Sequence, residues 1–154
     1  VARVRRTALD LFDQLSPDHT INDAHRELLG WAAELHEIGL GLSHESYQQH
    51  SAYLVEASDM AGFSRQEQLF LAALLGHQRR DIPKDYAARL PKRLRKALRI
   101  TLLCMRLSCI FCRTRDDETI PDIKITLETP EVRLLLSTHW MENHPLTVAD
   151  LEYE

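Results

Sequence analysis

Apolar side chains recur every three or four residues through most of the chain, which is the spacing of amphipathic helices. A first helix is predicted from the start of the chain and ends at Pro17. A second helix begins at Asn22 or Asp23, either of which can cap it, and continues until Gly39. Its predicted inward face consists of Leu28, Leu29, Ala32, Leu35 and His36.

Three further helices follow from the same spacing. Residues 45–57 repeat the pattern, with an apolar face of Tyr47, His50, Ser51 and Leu54. Ser64 and Glu67 have the spacing of a capping box, and the helix that they open runs to His77. Pro91 is placed as the first residue of a long helix, since proline is favoured there.

Near the C-terminal end the period changes to two. Residues 123–128 alternate apolar and polar side chains and predict a strand, and residues 132–136 predict another after Thr129-Pro130. A short helix is expected at 139–143 and a third strand at 146–152. We therefore predict a mainly α protein in which about five helices over 1–118 form a bundle and 119–154 form a small β subdomain packed on it, as one structural unit.

Composition agrees with one globular domain, because the 154 residues are 44% hydrophobic and 27% charged. The apolar stretches are too short for a membrane span, and no signal peptide is visible. The chain does not begin with Met, and we expect a fragment of a longer protein. Cys104, Cys109 and Cys112 make no disulfide framework, which favours a reducing cytoplasm. The C-x-x-C lies late in an apolar helix and is interpreted as core.

Charge is unevenly distributed. Residues 79–99 contain nine Lys and Arg against two Asp, whereas residues 116–154 contain ten Asp and Glu against two Lys and Arg. A basic run of this kind is either a solvated face or a binding track for a polyanion. Few aromatic residues interrupt it, which disfavours a nucleic-acid surface. The candidate anion-binding residues are Arg79, Arg80, Lys84, Arg89, Lys92, Arg93, Arg95 and Lys96.

Histidines lie near helix ends on the apolar faces of three predicted helices. His36, with its neighbour Glu37, His50 and His77 either converge on a metal ion or are ordinary core histidines. Their order resembles the HD superfamily of metal-dependent phosphohydrolases, with His36-Glu37 in place of the adjacent His-Asp pair. The family's final Asp falls at Cys109, and no histidine occurs where its first ligand belongs. The resemblance therefore implies an HD-domain-like fold with a degenerate site that holds no metal.

A second resemblance covers nearly the whole chain. The segments "WAAELHEIG" and "HSAY", the Gly62-Phe63 turn and "THWMENHPLTVADLE" resemble the C-terminal helical domain of the exopolyphosphatase/guanosine pentaphosphate phosphohydrolase family. The resemblance implies an accessory domain that binds polyphosphate or guanosine pentaphosphate and supports a homodimer. Catalysis, with Mg²⁺, would belong to an N-terminal actin-like domain that is not found in this sequence, so this chain alone is expected to be inactive.

Two alternatives stay open from the residues. One is an autonomous metal-dependent phosphohydrolase acting on nucleotides through His36, Glu37, His50 and His77. The other is a pure dimerisation module in which the basic residues bind nothing.

Overall fold

The structure is a computed structural model that describes residues 2–15, 20–113, 123–128 and 131–153. Within these ranges the chain forms seven α-helices, one 3-10 helix and two strands. The helices are α1 (Ala2–Gln14), α2 (Asp23–Leu35), α3 (Tyr47–Ala57), α4 (Arg65–Gly76), α5 (Lys92–Phe111), α6 (Thr138–Asn143) and α7 (Pro145–Tyr153). The 3-10 helix is Ile38–Gly41, and the strands are β1 (Lys124–Glu128) and β2 (Glu131–Leu135). The predicted mainly α class with a small β element is confirmed.

Helix α5 is the central element of the bundle and contacts α1, α2, α4 and α7. Its inner side carries Leu98, Met105 and other fully buried side chains, which meet Leu29 of α2 and Leu74 of α4 in one apolar core. Burial of this kind contributes roughly 1.5 to 3 kcal/mol for each large apolar side chain. The bundle therefore rests on the helical periodicity seen in the sequence.

The predicted helix starts are confirmed at two caps. The Ser64 hydroxyl accepts a hydrogen bond from the Glu67 backbone N–H, while the Glu67 carboxylate accepts from the Ser64 N–H. Asn22 caps α2 in the same reciprocal way, with the His25 ring as the returning group. Pro91 lies one position earlier than predicted, as the capping residue that precedes α5.

Gly39 fixes the corner between α2 and α3. A Cβ at this position would lie 2.0 Å from the Tyr47 carbonyl oxygen, so only glycine fits the approach. The Gly39 N–H donates to the Ser51 hydroxyl at 2.8 Å. The corner brings the end of α2 beside the start of α3.

The two strands form an antiparallel hairpin in which Ile125 pairs with Leu134. The hairpin is attached to α1, because the Gln14 side-chain amide donates to the Ile123 carbonyl at 2.8 Å and accepts from the Ile125 N–H at 3.0 Å. Ile125 is buried against the core.

Some predicted elements are corrected by the structure. The third strand is wrong, because Pro145–Tyr153 is helix α7; a proline at a helix start and a short apolar run fit either period. On α3 the predicted inner residue Ser51 is buried, but the other buried residues are Gln48 and Val55 rather than Tyr47, His50 and Leu54. The helix end at Pro17, the turn at 129–130 and the boundary at 118/119 lie outside the described residues.

No α-helix in the described ranges has the length and apolar character needed to cross a bilayer.

Candidate functional site: an arginine-lined cleft

A cleft of about 700 Å³ opens where α1, the end of α2, the start of α3, the turn after α4 and the end of α5 meet. We call it the arginine cleft. Among the lining residues that the structure describes, one carries a carboxylate, namely Glu37. Its cationic lining residues are Arg3, Arg79, Arg80, Arg106 and Arg113. Such an excess of guanidinium groups in a concavity creates a strongly positive potential, which favours an anionic ligand.

Arg106 forms the floor of the cleft. Its side chain comes from the middle of α5 and the residue is only 7% exposed. One guanidinium nitrogen donates hydrogen bonds to the carbonyl oxygens of His77 and Arg80, each at 2.8 Å. These bonds satisfy carbonyls at and just beyond the C-terminal end of α4, which have no partner within the helix. A buried cation is thereby held against backbone dipoles.

The turn after α4 carries the two arginines that the sequence predicted for this region. Arg80 has a φ of +65°, in the left-handed region that non-glycine residues rarely adopt. Arg79 is half-buried and its guanidinium lies over the Tyr47 ring, 4.9 Å from the centroid. The stacking orients Arg79 toward the cleft and covers one face of the aromatic ring.

Gln78 and His36 form the inner wall. The Gln78 side-chain amide donates to the His36 carbonyl at 2.8 Å and to the Leu75 carbonyl at 3.0 Å, so it closes the ends of α2 and α4 together. The His36 ring donates from Nδ1 to the Ala33 carbonyl at 2.6 Å. Burial lowers the pKa of His36, an effect that this hydrogen bond and Glu37 partly oppose. The imidazole is therefore neutral at pH 7.

At the rim, Arg113 forms an ion pair with Asp150 of α7, with 2.6 Å between nitrogen and oxygen. Both side chains are partly exposed. The Trp140 ring on α6 lies 5.6 Å from Phe111 and stacks on His144. The C-terminal helices thus reach the edge of the arginine cleft through α5.

The cysteines behave as core residues. Burial raises the pKa of Cys104 and of Cys109 to about 12, so neither supplies a thiolate near neutral pH. Cys109 and Cys112 line the cleft, where the Cys109 thiol lies 4.0 Å from the Gln78 side-chain oxygen and the Cys112 sulfur lies 3.6 Å from the Thr7 hydroxyl.

The predicted histidine constellation does not come together. His36 lies in the arginine cleft, whereas His77 lies in a separate groove with its ring edge 5.9 Å from Tyr86. His50 is half-buried on α3 and lines neither cavity. Across the described ranges, no three His, Cys, Asp or Glu side chains are placed to hold a metal ion. Convergence of these imidazoles, one of the two options left open by periodicity, is therefore not found.

The predicted basic residues separate into two places. Arg79 and Arg80 belong to the arginine cleft. A second concavity of about 560 Å³ surrounds the first turns of α5 and is named here the lysine cleft. Arg89 instead pairs with Glu56, and Arg93 donates to the Gln66 side chain at 2.9 Å. The basic residues of the lysine cleft are Lys84, Lys92, Arg95, Lys96 and Arg99.

Sequence reasoning missed Arg3, Arg106 and Arg113 as members of a basic site. They are far apart in the sequence and meet only when α1 packs against α5. The spacing of Arg106 and Arg113 gave no signal, because Arg113 lies beyond the last residue of α5.

The fold and the cleft define a small helical domain with a concave, arginine-rich surface. The family model of Ppx/GppA phosphatase, domain III, matches residues 1–154, and the chain belongs to this family. The family indicated by the sequence motifs is thereby confirmed.

Several relatives are about one-third identical to this chain. A "Guanosine-5'-triphosphate,3'-diphosphate pyrophosphatase" of Aeromonas salmonicida (strain A449) is 34% identical over 154 residues. Proteins with the same name from Aeromonas hydrophila subsp. hydrophila and Pseudoalteromonas translucida (strain TAC 125) are 32% and 31% identical. In each case the match covers 99% of this chain but 31% of the relative. The chain thus spans about a third of the length of these relatives.

Proposed function

We propose that this domain is an accessory domain of a phosphohydrolase and that it binds the phosphate chain of inorganic polyphosphate or guanosine pentaphosphate in the arginine cleft. The observation that carries the proposal is the convergence of five arginines from three parts of the chain around one concavity, where Glu37 is the single carboxylate among the described lining residues. The names of the relatives support a phosphorylated guanosine or a similar polyanion as the ligand of the whole protein.

Arginine suits this task for a geometric reason. A guanidinium offers two parallel N–H donors to two phosphate oxygens and keeps its charge at all relevant pH values. A phosphate chain has no base edges to be recognised, so closely spaced forks suffice. Tyr47 contributes through Arg79, because the stacked ring restricts the guanidinium before a ligand arrives.

The lysine cleft is proposed as a weaker contact for the same polyanion. Its cations are more exposed than Arg106, and lysine ammonium groups act as point charges rather than forks. Of the residues singled out in the sequence, Lys84, Lys92, Arg95 and Lys96 belong here. Arg89 and Arg93 remain predicted contacts, which a ligand would have to draw away from Glu56 and Gln66.

The remaining features are proposed from the family. The whole protein would hydrolyse phosphoric anhydrides in the cytoplasm, with Mg²⁺ held by a separate catalytic domain, and would form a homodimer. This chain supplies binding, and we expect no hydrolysis by it alone.

The test is calorimetric titration of the chain with long-chain polyphosphate, tripolyphosphate, GTP and a single-stranded oligonucleotide. Polyphosphate should bind without metal and more tightly than the oligonucleotide. Arg79→Ala/Arg80→Ala should remove most of the binding, whereas Arg65→Ala/Arg133→Ala, which removes two positive charges elsewhere, should change it little. Equal losses in both variants, or no binding by the unmodified chain, would contradict the proposal.

The same titration with Mn²⁺ tests the metal-hydrolase alternative. Phosphate release that depends on Mn²⁺ and is abolished by His50→Ala would favour it. Absence of binding under every condition would leave dimerisation as the function.

A further inference from the structure

We infer that Arg106 is a positioning residue for the anion site: its hydrogen bonds to the His77 and Arg80 carbonyls hold the turn after α4 in the one shape that directs Arg79 and Arg80 into the arginine cleft. The inference rests on the proposed function. It adds a residue that contributes to anion binding mainly by positioning Arg79 and Arg80. It also explains why a cation is buried at this point of α5.

The geometry of the turn requires an external anchor. The two carbonyl oxygens that Arg106 contacts belong to residues three apart, so a single guanidinium nitrogen closes the turn between them. Arg80 stands in the left-handed conformation at φ +65°, which an arginine side chain disfavours. Such a conformation persists where its surroundings fix it. The hydrogen bond from Arg106 to the Arg80 carbonyl fixes the backbone at Arg80 itself.

A second anchor lies inside the same turn. Gln78 is 3% exposed, and its side-chain amide binds the carbonyls of His36 and Leu75. With Gln78 held against the inner wall and the carbonyls of residues 77 and 80 held by Arg106, the side chains of Arg79 and Arg80 are the cations that the turn contributes to the cleft. The buried hydrogen bonds of Gln78 and Arg106 thus hold the turn so that the cationic side chains of Arg79 and Arg80 face the cleft.

The substitution Arg106→Lys distinguishes the effect of the positive charge from the effect of the hydrogen-bonding geometry. Lysine keeps the formal charge, but its side chain is one bond shorter, so its ammonium cannot reach the position from which the guanidinium nitrogen donates to both carbonyls. If Arg106 acts by positioning, Arg106→Lys should weaken polyphosphate binding about tenfold. It should also reduce the slope of log affinity against log salt by roughly one to two, because fewer phosphates are neutralised together.

The decisive measurement is a double-mutant cycle on polyphosphate affinity and salt slope, with Arg106→Lys, Arg79→Ala/Arg80→Ala and their combination. In the background that lacks Arg79 and Arg80, Arg106→Lys should change affinity less than twofold. Full additivity of the two losses would overturn the inference and make Arg106 an independent contact or a purely structural residue.

Two further variants distinguish a loss of positioning from a general loss of stability. Leu107→Ala removes a buried side chain next to Arg106 without touching the turn, and it should lower the melting temperature while leaving the salt slope unchanged. Gln78→Met removes the second anchor without changing any charge, and it should lower the salt slope as Arg106→Lys does. An unchanged slope in folded Gln78→Met would contradict the inference even if Arg106→Lys does not fold. Failure of the unmodified chain to bind polyphosphate would instead contradict the proposed function.

Discussion

The arginine cleft and the lysine cleft contain similar numbers of cations but are built in opposite ways. The arginine cleft assembles residues from α1, the turn after α4 and α5, and several of its groups are buried and hydrogen-bonded to backbone. The lysine cleft draws its cations from one local stretch, residues 84–99. A local charge run is easy to see in a sequence, whereas a convergent site forms only when distant elements pack together. The convergent site is the one with fixed geometry.

The two clefts also differ in how their charge affects stability. In the arginine cleft, Arg106 is paired with carbonyl oxygens at a helix C-terminal end, where a cation is favourable. In the lysine cleft, Lys92, Arg95 and Lys96 occupy the first turns of α5, and the first turn of that helix contains no acidic residue. Cations there oppose the helix dipole. The lysine cleft therefore has a modest cost in folding free energy that a purely structural surface would not require.

The largest expected effect comes from removing two cations from the arginine cleft, compared with removing two from the lysine cleft. Arg79→Ala/Arg80→Ala should weaken polyphosphate binding by roughly a hundredfold, since each charge-assisted hydrogen bond contributes about 1.5 kcal/mol or more. Lys92→Ala/Lys96→Ala should weaken it by only a few fold. Calorimetry on both variants at the same salt concentration makes the comparison. Equal losses would contradict the distinction between a fixed and a diffuse site.

A smaller effect of opposite sign is expected at the rim of the arginine cleft. Asp150 competes with a phosphate for Arg113, so Asp150→Asn should strengthen polyphosphate binding about threefold. Its effect on unfolding free energy should stay within about 1 kcal/mol, as for other exposed ion pairs. The matched control is Glu128→Gln, which removes the partner of Arg133 on the hairpin and should leave affinity nearly unchanged. Unchanged binding in Asp150→Asn would show that Arg113 takes no part, and weaker binding would contradict competition between Asp150 and the phosphate.

In the lysine cleft, one substitution should move stability and binding in opposite directions. Lys92→Glu places an acid in the first turn of α5 and should raise the unfolding free energy by about 1 kcal/mol. The same change should lower polyphosphate affinity a few fold. Lys124→Glu on β1 has the same change in charge away from a helix end and should raise stability less. Denaturant unfolding of the two variants checks this, and a loss of stability in Lys92→Glu would contradict the account of α5.

A pH effect should distinguish the clefts as well. Burial lowers the pKa of His36 in the arginine cleft and of His77 beside it, and the Arg106 charge lowers that of His77 further. The folded chain then binds fewer protons than the unfolded chain below the ordinary histidine pKa of 6.5. This contribution to stability is complete above pH 6.5 and is lost as pH falls below it.

The measurement is unfolding free energy between pH 7.5 and pH 5.5. His36→Gln should make the decrease shallower, whereas Lys92→Ala/Lys96→Ala should leave it unchanged. An identical pH dependence in His36→Gln and the unmodified chain would remove His36 from this explanation.

Much of the helical bundle could be predicted from the sequence, because the signals for its helices are periodic or local. The capping box at Ser64 and Glu67 and the apolar faces of α1, α2 and α4 predicted those helices, and alternation predicted the hairpin. Helix α7 was misassigned because a short apolar-polar run such as residues 146–152 is ambiguous between the two periods. The inner side of α3 was misplaced because Gln48, a polar residue, is buried there.

The candidate site was less accessible to sequence reasoning. Arg79 and Arg80 were identified from the local charge run. Arg3 and Arg113 could not be assigned to the same cavity without knowing how α1 lies against α5. Arg106 was not identified from the sequence, because nothing in its spacing indicates bonds to a turn 26 to 29 residues away.

The most direct test of the arginine cleft is the salt dependence of long-chain polyphosphate binding to the unmodified chain and to Arg79→Ala/Arg80→Ala. The account predicts metal-independent binding whose log affinity falls steeply with log salt in the unmodified chain, and a slope smaller by roughly two in the variant. Equal slopes in the two proteins would show that polyphosphate binds elsewhere on the surface and would contradict the central claim.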